Sequence, residues 1–167
     1  VSAARISVES GGEISSSSRG GASGRGGTVS VSAQENLVAD GASATGKRSA
    51  IVTNTFTGAP AGAVRIAAPR VEIRNGALVQ SQSQGAGAAG QISLDAGALS
   101  ITGGGQISSD ARGAGAGGSI VVAASGALSV SGADSGIFAN TYAGGAPAGA
   151  IQVTAGSVSL SGAGTIQ

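Results

Sequence analysis

The charged side chains of this 167-residue sequence are eight carboxylates and nine bases, and it contains neither His nor Cys. Without those two residue types, no Ser–His relay, cysteine nucleophile or thiolate metal site can be assembled. Carboxylate chemistry is what is left, as in β-helical enzymes that cleave polysaccharides. Glu9 and Glu13 straddle a predicted turn and form the one pair placed to approach each other. The others are Glu35, Asp40, Glu72, Asp95, Asp110 and Asp134, and no two Asp take equivalent places in successive repeats. The Gly-Gly-x-Gly-x-Asp calcium repeat of other solenoids is missing. The expectation is a protein that is not an enzyme, with no metal and no cofactor.

Two sets of residues are candidates for binding. Arg65, Arg70 and Arg74 cluster around Glu72 and make a candidate patch for an anionic glycan, with a salt-bridged surface stripe as the plainer alternative. The second set lies in a polar run that recurs along the chain. Ser17, Asn54, Gln82, Asp110 and Asn140 take equivalent places, and two positions further on come Arg19, Phe56, Gln84, Arg112 and Tyr142. Phe56 and Tyr142 are two of only three aromatic residues. An aromatic beside an amide suits a sugar, so Asn54, Phe56, Asn140 and Tyr142 are the candidate glycan-binding residues. The alternative is that the rings merely cover a Gly-rich loop. Ser16, Thr53, Ser81 and Ser109 point the other way and should form a hydroxyl ladder that satisfies backbone groups.

The elements that position these residues are short alternating strands. A first set reads Val29-x-Val31-x-Ala33, Val64-x-Ile66-x-Ala68, Ile92-x-Leu94-x-Ala96, Ile120-x-Val122-x-Ala124 and Ile151-x-Val153-x-Ala155. A second set carries the pairs Ile6/Val8, Leu37/Ala39, Val71/Ile73, Leu99/Ile101, Leu128/Val130 and Val158/Leu160. A third begins at Ile14, Ile51, Val79, Ile107, Ile137 and Ile166. Period-two alternation places each set on one face. Gly27, Gly62, Gly90, Gly118 and Gly149 precede the first strands, where backbones approach closely or φ is positive. Ser10, Gly41, Asn75, Gly103, Gly132 and Gly162 follow the second strands, where left-handed backbone is expected.

Repetition of strands alone, with a period of 28–35 residues, indicates an all-β solenoid. The sequence therefore predicts a right-handed three-sided parallel β-helix of about six coils, as a single unit over 1–167. One insertion breaks the period, and a loop is predicted at 41–50, carrying Lys47 and Arg48 as solubilising charges. Two loops nearly match, Asn54 to Gly62 and Asn140 to Gly149, which fixes the register between two distant coils.

Composition fits this plan. Gly contributes 32 residues and aromatics 2%, so the core must be thin and built from Val, Ile, Leu and Ala. A narrow stack of coils suits it better than one globular centre. The net charge of +1 gives no electrostatic basis for binding nucleic acid. The halves differ, with net +3 over 1–83 and −2 over 84–167, which ordinary solvated faces explain. No apolar run approaches the roughly 20 residues of a membrane span. The chain has no signal peptide at its start and begins and stops mid-pattern, so a segment of a longer protein is expected. Strand edges at both ends should favour end-to-end self-association.

The motifs Gly-x-Ile-x-Leu-x-Ala, Leu-x-Ile-x-x-Gly and Gln-Ile-Ser-Ser run through the stretch GQISLDAGALSITGGGQISSDARGAGAGGSIVV. This stretch resembles the repeats of filamentous haemagglutinin-type exoproteins from two-partner secretion systems, and the resemblance covers almost the whole chain. It implies a secreted bacterial β-helix, displayed on the outer surface and often used for adhesion. It also implies export through an outer-membrane secretion partner. That partner would act through an amino-terminal domain with Asn-Pro-Asn motifs, which is not in this chain. The function expected is the repeat shaft of an adhesin that meets a host or cell-surface glycan or protein. A carbohydrate-binding β-helix surface is the alternative, and a polysaccharide-cleaving enzyme comes third.

Overall fold

The computed structural model describes residues 1–19, 24–142 and 146–167. Within them the secondary structure is β-strand alone, wound as a parallel solenoid of about five turns. One six-stranded sheet contains β1 (Ser2–Glu9), β3 (Val29–Asp40), β5 (Val64–Arg74), β7 (Ile92–Thr102), β9 (Ile120–Ser131) and β11 (Ile151–Ser161). The other contains β2 (Glu13–Ser18), β4 (Ala50–Thr55), β6 (Leu78–Ser83), β8 (Gln106–Ala111), β10 (Gly136–Phe138) and β12 (Thr165–Ile166). Every strand pairs in parallel with its equivalent one turn away.

The three predicted sides are present, but two of them share a strand. What reads as a first and a second strand is one continuous strand with a corner in the middle. At the β5 corner, Pro69 and Arg70 are both exposed, which interrupts the alternation on either side. The strand continues through the corner: pairing with β7 skips Pro69, which has no N–H to donate, and resumes at Arg70 in the same register. The coil count is also corrected, from about six to about five turns. The first coil is partial, since β1 begins at the corner, with Ser2 opposite Ser32, and β12 is only two residues long.

Corner length explains the irregularities of the first sheet. Four positions separate Ala33 from Leu37 and Ala124 from Leu128, whereas three separate Ala68 from Val71, Ala96 from Leu99 and Ala155 from Val158. Register shifts occur between β1 and β3, β3 and β5, β7 and β9, and β9 and β11, where a long corner meets a short one. Between β5 and β7, both short, the register runs through unshifted. The extra residue is the bulge.

The core is a set of columns. Val64 stacks on Ile92, Ile92 on Ile120 and Ile120 on Ile151. Leu37, Val71, Leu99 and Leu128 form a second column, and Ile51, Val79, Ile107 and Ile137 a third; all eight are buried. Each fully buried aliphatic side chain contributes about 1.5–3 kcal/mol. A single coil has few of them, so stability comes from stacking.

The two glycine columns do different work. A Cβ at Gly90 would overlap the Gly62 carbonyl oxygen, and one at Gly118 would overlap that of Gly90. Close approach of backbones, not positive φ, fixes this column. The column after the second strands is left-handed throughout, including its two non-glycine members Ser10 (φ 53°) and Asn75 (φ 54°).

Residues 41–49 leave the prism as a small excursion. Ala42 and Arg48 form an antiparallel bridge, and the Ser43 N–H donates to the Lys47 carbonyl at 2.8 Å. Of the two matching loops, Pro60 and Pro147 accept in the same way, from the N–H groups of Gly26 and Gly117, each at 3.0 Å. Residues 143–145 of the second loop lie outside the described residues.

Candidate binding face

The outer face of the second sheet carries the chemistry. Alternation in β4, β6 and β8 sends Ile51, Val79 and Ile107 inward, followed by Thr53, Ser81 and Ser109. These three hydroxyls are fully buried, and they satisfy the glycine column as expected. Thr53 Oγ1 donates to the Gly62 carbonyl at 2.8 Å, Ser81 Oγ to the same carbonyl at 2.9 Å, and Ser109 Oγ to the Gly90 carbonyl at 2.7 Å. The Gly90 N–H in turn donates to Ser81 Oγ at 2.9 Å.

Outward, the register brings Ser17 beside Asn54, Asn54 beside Gln82, and Gln82 beside Asp110. The bridge between Ala111 and Thr141 sets Asn140 beside Asp110. Stacking covers this column so well that Gln82 and Asp110 are only 7% and 5% exposed. Asn54 Oδ1 and Asp110 Oδ1 are buried without a hydrogen-bond partner among the described residues. Burial raises the Asp110 carboxyl above the usual carboxylate range, against the opposing pull of Ser108 and Asn140.

Two positions further along each strand, the Arg19 guanidinium lies 5.5 Å from the centroid of the Phe56 ring, and that of Arg112 lies 5.3 Å from that of Tyr142. Both are cation–π contacts across one rung. Phe56 and Tyr142 remain exposed, at 42% and 60%. The four candidate glycan residues fall into two pairs, Asn54 with Phe56 and Asn140 with Tyr142. Three rungs separate the pairs, roughly 14 Å at the ordinary strand spacing.

Around Asn140 and Tyr142 the face closes into a groove of about 320 Å³. Phe138, the third aromatic, lines it together with Gln80, Gln106, Asp110 and Arg112. Phe138, Asn140 and Tyr142 follow one another at every second position, so they face the same way. The Phe138 ring folds over Gly136, where no Cβ obstructs it.

Arg48 is the residue that sequence reasoning misjudged. Rather than merely solubilising the loop, it reaches across three coils. Its guanidinium donates to the Gly76 carbonyl, to the Ala77 and Gly104 carbonyls at 3.4 Å each, and to Gln106 Oε1 at 3.2 Å. Its targets are backbone carbonyls far along the chain, so no local motif signals them. Lys47 pairs with Glu13 at 3.1 Å.

The arginines of β5 do not form one cluster: Arg70 and Arg74 flank Glu72 on one outer face, and Arg65 stands apart from them. Arg74 is engaged by Asp40 and Glu72, both at 2.9 Å. Asn75 donates to Asp40 Oδ1 at 2.8 Å and, with Arg74, holds that carboxyl below its ordinary value. Arg65 lies before the Pro69 corner and Arg70 after it. Glu9 and Glu13 also part company. Glu9 accepts from Ser7, and Glu13 is held low by its Ser15 hydrogen bond and by Lys47.

No protein-family model, curated protein or solved structure matches this chain.

Proposed function

We propose that this chain is a structural shaft, the repeat region of a secreted bacterial adhesin displayed on the outer surface. The observation that carries the reading is the constancy of register. Each inward column continues from rung to rung through both sheets, with corrections confined to corners. A prism built this way advances by about 4.8 Å per coil and holds its line. That is what projecting a distant tip requires. The three-part repeat resembling filamentous haemagglutinin-type exoproteins supports the secreted setting. On this reading the outer-membrane secretion partner acts through a domain outside this chain, and the shaft performs no catalysis.

The test is a display experiment. The chain is placed between a two-partner secretion domain and an epitope tag, and expressed with the cognate outer-membrane partner. The expected result is a surface-exposed tag whose height, by electron microscopy, grows with each added copy of the chain. A tag that stays inside the cell, or a height indifferent to copy number, would overturn the proposal. Turnover of a polysaccharide would overturn it as well.

A further inference from the structure

The groove at β8 and β10 has a chemistry that a shaft does not need. Elsewhere the solenoid economises on large side chains, yet all three aromatics fall along one sheet, Phe138 within β10, Phe56 just past β4 and Tyr142 four positions past β10. Two of them, Phe138 and Tyr142, flank Asn140 in the same groove. Stability alone would hide a ring as large as Tyr142, but it is 60% exposed. The groove floor holds Asp110, a carboxylate that is 5% exposed and has one oxygen unpartnered among the described residues. A buried acceptor without a donor is costly, and of the three such atoms, Asn54 Oδ1, Ser83 Oγ and Asp110 Oδ1, only that of Asp110 belongs to a residue lining this groove.

The lining also narrows the ligand. An anion would meet the Asp110 carboxylate. A cation would meet Arg112, whose guanidinium lies over Tyr142, and Arg48, half-buried at the groove edge. The remaining polar groups are amides and the Ser108 and Tyr142 hydroxyls, all of which both donate and accept. Amides and a lone carboxylate beside an exposed ring suit a neutral molecule with many hydroxyls and an apolar face. The volume, about 320 Å³, lies at the small end of ligand sites.

We propose that this groove binds a neutral saccharide, one ring stacking on Tyr142 and its hydroxyls meeting Asn140, Gln106 and Asp110. The other aromatic–amide pair, Asn54 with Phe56, stands outside the groove and takes no part. The site is therefore one half of the face, not the whole ladder.

The test is calorimetric titration of the chain with neutral oligosaccharides of glucose, galactose, mannose and N-acetylglucosamine, and with heparin as an anionic comparison. Saturable binding of at least one neutral oligosaccharide is expected. Tyr142→Ala should weaken it at least tenfold, and Asp110→Asn should weaken it several-fold. Phe56→Ala should leave it unchanged. Tyr142 and Phe56 are exposed, so these variants should fold, and far-ultraviolet spectra check that. Absence of binding to every neutral oligosaccharide up to 10 mM would overturn the proposal. So would binding that survives Tyr142→Ala, or binding of heparin alone.

Discussion

Arg48 and Gln106 meet at 3.2 Å although 58 positions separate them in sequence. The contact ties the excursion at 41–49 to a strand two rungs away. The same guanidinium also caps the carbonyl of Gly76 in the intervening coil and that of Gly104 in the turn leading into β8. An insertion that looks like a decoration on the repeat thus works as a clamp along the prism axis.

Arg48→Ala should therefore destabilise the fold although the residue lies in a loop. Hydrogen bonds from a charged donor are worth about 1.5–3 kcal/mol, and partial exposure places the loss at the lower end. Arg48→Lys should recover little, because an ammonium cannot match the fork of contacts. Urea unfolding of the three proteins decides this. Equal midpoints would mean that the clamp is idle.

The glycine column gives a sharper contrast. At Gly90 an added methyl meets the Gly62 carbonyl, a backbone group held by its own ladder. Gly90→Ala should cost at least the ~1–3 kcal/mol typical of overpacking. Among the described residues nothing lies within 4 Å of a Cβ at Gly58, and its φ is not positive. Gly58→Ala should be neutral or stabilise by up to about 1 kcal/mol through the unfolded chain. Comparable losses at both sites would remove close approach as the reason for the column.

Ile107 is fully buried between Val79 and Ile137. Ile107→Ala should cost about 2–5 kcal/mol, since stacked neighbours on both sides prevent collapse into the void. Thermal unfolding followed by far-ultraviolet circular dichroism would show it. A loss below 1 kcal/mol would mean that the columns can slide to fill space.

Asp110 predicts a pH effect of unusual sign. Its carboxyl is raised in the fold, so the folded chain holds that proton more tightly than the unfolded chain does. The cost of ionising it is fully present above the raised folded value. It fades as pH falls through that value, and is gone below the unfolded value near 3.8. Asp110→Asn should thus stabilise the protein at neutral pH, with a gain that shrinks on acidification. Asp40 and Glu13 act in the opposite sense. Their lowered values stabilise the fold above the ordinary carboxylate range, and this is lost as pH falls through the lowered folded values. A gain from Asp110→Asn that stayed constant between pH 7 and pH 3 would refute this account.

The columns were legible because alternation, spacing and residue size all point the same way at positions such as Val64, Ile92 and Ile120. The polar ladder from Ser17 to Asn140 was legible too, since it only requires the register to be counted. The continuity of the first two strands was not. Pro69 and Gly97 look like breaks, yet they sit at corners where the ladder continues through β5 and β7. Burial of Gln82 and Asp110 was hidden because neighbouring rungs create it, not the strand itself. Phe138 escaped notice because it stands next to the inward Ile137, where outward direction becomes plain only with the pairing of β8 and β10. Arg48 had no signature, since backbone carbonyls carry no residue code.

Because each strand pairs only with the strands directly above and below it, the prism has no centre whose loss melts everything at once. Amide protons should report this as a gradient, with slow hydrogen exchange along β5 and β7 and faster exchange toward β1 and β11, whose Val158 and Leu160 are half uncovered. Such a molecule would yield like a zip, tooth by tooth from its ends.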